Sequence, residues 1–166
     1  MVRQVWKQLV PSLIIIATAI FFSAPFAFPG QSELQTALIL GEVWFWTLYE
    51  PMALPLLALF LCGLVVEVFR AGPPGVLLLW MLVTAGIANG ARYRLSQGGF
   101  LRSWGAFSVT MMGGVALEWG FMCLRSGAFL SPLVALFQLS LTVGLYPCLY
   151  VFFLGMLRLL NHNKTL

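Results

Sequence analysis

A carboxylate inside an apolar run can carry a proton, hold a cation or neutralise an arginine, and Glu67 stands in such a run, Leu54–Phe69. Placing it in hydrocarbon costs roughly 2.5–3.5 kcal/mol even on lenient insertion scales, so it must be paired or functional. Glu42 and Glu118 stand in similar surroundings. Arg70 follows Glu67 by one helical turn and Arg125 follows Glu118 by two, spacings that allow mutual neutralisation. Glu42, Trp46 and Tyr49 follow i, i+4, i+7 spacing and share a helix face. Three chemistries fit this set: a structural layer fixing helix register, a docking surface for another protein's membrane-proximal segment, or a proton or cation path. A path would need polar groups continuing through the spans, where the sequence offers little beyond Thr84, Thr110 and Gln138. Catalysis and metal binding have still less to work with. No aspartate occurs, the only histidine is His162 in the polar tail, and Cys62, Cys123 and Cys148 share no CxxC spacing. These absences remove Ser-His-Asp, HExxH and DxD constellations, and no resident cofactor is expected.

The elements that must position these groups follow from composition. Hydrophobic residues make up 61% of the chain and charged residues 8%, against about 25% charged in soluble domains, so the chain is expected to be an all-α polytopic membrane protein. The nine basic residues are scattered at the ends of apolar runs, which marks topology rather than a nucleic-acid surface. One domain, 1–166, with six spans is predicted, at about 9–28, 36–49, 54–69, 75–91, 104–124 and 132–160. Met1–Gln8 and the segment after it resemble a signal peptide, but Pro25 and Pro29 crowd the cleavage site, and a retained first span is expected, with Pro11 in its first turn. Gly86 and Gly90 form a GxxxG pair that lets another helix approach, with Asn89 placed to bond across the crossing; Ala116 and Gly120 repeat the spacing. Pro147 predicts a kink in the last span whose freed carbonyl a neighbour must satisfy. Six spans put both ends on one side. The segments there hold Arg3, Lys7, Arg92, Arg94, Arg102, Arg158 and Lys164 against Arg70 and Arg125 opposite, which places the termini in the cytoplasm. Glu42, Glu67 and Glu118 then form a polar layer in the outer part of the bilayer.

Trp46, Pro51, Phe60, Gly63, Glu67, Gly72 and Gly75 are spaced W-x4-P-x8-F-x2-G-x3-[DE]-x4-G-x2-G. This resembles the signature of the bacterial rod shape-determining MreD family. Leu141-Thr142 and Tyr146-Pro147 are similar to that family's closing LT…YP element. Glu67 stands where the family usually has aspartate, and the loop after Pro51 lacks the basic residues often found there. The resemblance implies a non-enzymatic inner-membrane component of the cell-elongation machinery, partnered by a bitopic MreC-like protein and through it by the actin-like MreB, RodA and a penicillin-binding transpeptidase. It also implies a distant likeness to the substrate-binding subunits of energy-coupling-factor transporters, and hence a second expectation, a vitamin-binding membrane subunit. The predicted outer loops, Pro29–Gln35, Arg70–Pro74 and Arg125–Ser131, are short for a vitamin pocket.

Overall fold

A computed structural model describes residues 2–24, 30–69 and 75–162. The described residues form six helices: α1 (Val2–Ser23), α2 (Gln31–Tyr49), α3 (Leu56–Phe69), α4 (Val76–Ser96), α5 (Gly99–Ser126) and α6 (Leu133–His162). The predicted all-α class is observed. Three helices carry segments long and apolar enough to cross a membrane, Val76–Leu95, Gly99–Ser126 and Leu133–Arg158, while α1 and α3 carry shorter apolar stretches, Leu9–Ser23 and Leu56–Phe69.

Which helices touch defines the architecture. Helix α2 packs on α1, α4 and α6; α3 bridges α1 and α4; α5 bridges α4 and α6. The six therefore make two four-helix squares, α1-α2-α4-α3 and α2-α4-α5-α6, with the α2·α4 pair as their common wall. This explains the composition of α2. It carries Gln31, Ser32, Glu33, Gln35, Thr36 and Glu42, yet nearly all of it from Gln35 to Leu48 is buried. A helix enclosed on every side by protein can carry polar groups that a lipid-facing helix cannot.

Lipid offers no hydrophobic drive between helices, so small residues and polar bonds must decide the crossings. The glycines that serve are Gly41, Gly63 and Gly114. A Cβ on Gly41 would lie 2.6 Å from Leu149 Cδ1, one on Gly63 would run into Leu78, and one on Gly114 into the indole of Trp80. These fix α2 on α6, α3 on α4 and α4 on α5.

The GxxxG expectation is corrected. Gly86, Asn89 and Gly90 are exposed on α4, and neither glycine has any neighbour within 4 Å of a Cβ position. The reason is the length of α3. It begins at Leu56, only two turns before Gly63 meets Leu78, so it runs beside the first half of α4 and leaves the second half bare on that side. Ala116 is likewise exposed, and Gly120 meets nothing. Pro11 is not in a first turn either: α1 starts at Val2, which places Pro11 inside the helix.

Candidate functional site

Each of the three glutamates lies in a different interface. Helix α2 begins at Gln31 rather than Thr36, because Gln31–Gln35 is helical and not loop, and this puts Glu42 about 16 Å from the start of the helix. There, 3% exposed, it accepts a hydrogen bond from Thr18 Oγ1 at 2.8 Å through Oε1. It belongs to a polar seam between α1 and α2. Gln31 Nε2 donates to the Phe22 and Ala24 carbonyls at 2.5 and 2.6 Å, and Gln35 Nε2 to the Ala19 carbonyl at 3.2 Å. Gln31 thus serves the Phe22 carbonyl, which lies in the last turn of α1 and has no partner within its own helix.

Glu67 is half-buried near the end of α3, and its Oε1 accepts from the Leu78 backbone N–H at 2.9 Å. Leu78 lies in the first turn of α4, whose leading N–H groups have no intrahelical acceptor and whose macrodipole favours a negative charge. Glu67 therefore caps the next helix from the preceding one. Gly75 starts that helix at φ 86°, where it contributes no side-chain cap of its own. Arg70, the expected partner of Glu67, and Gly72 lie outside the described residues.

Glu118 is half-buried and lines a cleft on the axis of the second square, with Thr36, Leu40, Leu77, Trp80, Met111, Gly114, Val115, Gln138 and Thr142; the cavity volume is ≈ 10 Å³. Arg125 is exposed at the last turn of α5.

Of the remaining motif residues, Trp46 is 2% exposed and packs on Phe153, and Phe60 is 40% exposed on the outward face of α3. Pro51 sits in the α2–α3 turn, which Ala53 N–H closes on the Glu50 carbonyl at 2.9 Å. Tyr146 is fully buried, and its hydroxyl shares a 3.0 Å hydrogen bond with Ser103 Oγ, which also accepts from Trp44 Nε1 at 3.3 Å. This bridge joins α2, α5 and α6 inside an aromatic cluster in which Phe107 stacks on Tyr146 with ring centroids 4.4 Å apart. Pro147 removes the N–H that would serve the Val143 carbonyl, and Trp104 Nε1 donates to that carbonyl at 3.0 Å. The predicted vacancy therefore has its donor on α5.

Sequence reading missed Thr18, Gln31, Gln35, Trp44, Ser103, Trp104, Gly41 and Gly114. The signal for Ser103 and Trp104 was their position at the very start of the long fifth apolar segment, which is a weak one. No group of three potential metal ligands occurs among the described residues. The arrangement as a whole is a helical membrane body tied by polar bonds at its crossings. No protein-family description, curated protein or solved structure matches the chain.

Proposed function

We propose that the chain is a six-span, non-enzymatic scaffold of the bacterial inner membrane, with both termini in the cytoplasm, acting in the elongation machinery of the MreD type. The observation that carries this reading is the spacing from Trp46 to Gly75. The motif positions that the structure describes also do demanding work: Gly63 permits the α3–α4 contact, Glu67 caps α4, and Gly75 takes a left-handed φ. Together they hold the end of α3 against the start of α4, at the end of the body predicted to face outward. Such a packed helix pair offers a surface to a partner's single helix and its membrane-proximal segment. MreC-like proteins are the partners this reading names, with MreB, RodA and the transpeptidase reached through them.

The test is purification of the tagged chain from a rod-shaped bacterium after crosslinking, with mass spectrometry of what accompanies it. A bitopic periplasmic protein is the expected companion. An ATPase module bound together with a small vitamin would instead establish the transporter-subunit alternative. That alternative has less support, because the predicted outer loops, Pro29–Gln35, Arg70–Pro74 and Arg125–Ser131, are short for a vitamin pocket. If capture of the partner and rod shape both survive Glu67→Gln and Glu67→Leu, Glu67 takes no part in docking.

A further inference from the structure

Most hydroxyls in the interior helices are satisfied by their own backbone. Thr36, Ser108, Thr110, Ser140 and Thr142 each donate to the carbonyl four residues back at 2.7–2.8 Å. Two do not. Thr84 Oγ1 on α4 and Thr47 Oγ1 on α2 are buried, at 0% and 5% residue exposure, and have no hydrogen-bond partner. An apolar replacement of the same shape would avoid the desolvation cost of about 1–3 kcal/mol that each orphaned hydroxyl carries.

Helix register says where they point. Thr84 follows Leu77 and Trp80 by seven and four residues, and both of those line the cleft beside Glu118. Thr47 follows Leu40, another cleft residue, by seven, and Trp44 by three. Both residues thus lie on the faces that α4 and α2 turn to the axis of the second square, Thr84 one turn deeper than the cleft and Thr47 two, beyond Trp44. At the cleft's half-buried rim stand Glu118 and Gln138. At its far end Trp44, Phe107 and Tyr146, all fully buried, close the axis around Ser103. A cleft of ≈ 10 Å³ is just large enough for one water, and buried water is kept where it finds two or more polar partners.

We propose that the axis of the second square is a blind aqueous inlet: water enters past Glu118 and Gln138, reaches the Thr84 hydroxyl, and stops at the aromatic floor, beyond which Thr47 lies. This stands independently of the elongation-scaffold reading. It makes the shared α2·α4 wall wet on one face, and the aromatic floor explains why such a polar file does not cross the body.

Two methionines provide the test. Met111 lines the cleft at 2% exposure, while Met81, at 0%, is packed toward Gly63 on the α3 side. In X-ray hydroxyl-radical labelling of the full-length protein in lipid nanodiscs, radicals form from internal water, so only a methionine beside such water is oxidised quickly. Met111 is expected to label about tenfold faster than Met81, with exposed Met52 as the calibrating site. Equal protection of Met111 and Met81 overturns the proposal. In Thr84→Val the Met111 rate should fall toward that of Met81, and in Thr84→Ser, which keeps the hydroxyl, it should stay. A Met111 rate unchanged in Thr84→Val overturns the role given to Thr84.

Discussion

Neighbouring residues of one type can differ entirely in what they do, and α5 provides the sharpest case in Gly113 and Gly114. A methyl on Gly114 would meet three atoms of the Trp80 indole, whereas one on Gly113 would meet nothing within 4 Å. Gly114→Ala should therefore force a rigid ring to move and destabilise the protein by about 1–3 kcal/mol. Gly113→Ala should be neutral, or stabilise by up to about 1 kcal/mol through helix propensity. Thermal unfolding in detergent, followed by helical circular dichroism, separates the two. Ser103 is a second single-residue dependence. Its removal in Ser103→Ala leaves both Trp44 Nε1 and the Tyr146 hydroxyl buried without their partner, at a cost of about 1–3 kcal/mol each. Tyr146→Phe leaves the Trp44 bond in place and should cost less, and the same thermal assay orders the pair. Neither Gly114 nor Ser103 was legible in the sequence. Spacing says which residues share a helix face, but a close approach depends on which neighbour that face meets. For the same reason the GxxxG pair at Gly86 and Gly90 marked a capacity for approach that α3 is too short to use.

Helix ends and interruptions were more legible, because backbone chemistry announces them. Pro147 predicted an orphaned carbonyl from the sequence alone, and the structure adds the donor, Trp104. The two residues should therefore be energetically coupled. Trp104→Phe in the parent chain leaves the Val143 carbonyl without a donor and should cost roughly 1 kcal/mol or more. In a Pro147→Ala background the helix supplies its own N–H, and the same Trp104→Phe change should cost measurably less. A double-mutant cycle on unfolding free energies gives the coupling, and strict additivity would show that the indole does not serve the freed carbonyl. Glu67 is the parallel case at a helix start. Glu67→Gln retains an oxygen to accept from Leu78 N–H and should be mild, whereas Glu67→Leu removes the cap and should cost about 0.5–2 kcal/mol. The start of α2 was the less legible boundary. Gln31, Ser32 and Glu33 look like loop, and they are helical because Gln31 and Gln35 reach back to the carbonyls ending α1. The true start places Glu42 more than a turn further into the helix than the sequence reading had it.

At the scale of the whole molecule, composition and apolar period set the helix count, but not which helices meet, since every apolar face is equally content in lipid. What selects the arrangement is the polar and small-residue content of α2, which alone packs on α1, α4 and α6. The second square is closed by contacts that do not depend on chain continuity between α4 and α5: Trp44 with Ser103 and Tyr146, and Gly41 against Leu149. Helices that have already inserted can associate as independent pieces when packing and hydrogen bonds suffice. Cutting the chain between Gln97 and Gly98, at the turn joining α4 to α5, and co-expressing the halves should therefore give two fragments that co-purify through a tag on either one. Gly41→Leu in the first fragment would drive a branched side chain into Leu149 and Tyr146, and should abolish capture while leaving each fragment in the membrane. Gly86→Leu, on the bare half of α4, serves as the matched control and should leave capture intact. Loss of capture in both variants would mean that the halves meet through the outer surface of α4, and that the shared α2·α4 wall does not organise the fold.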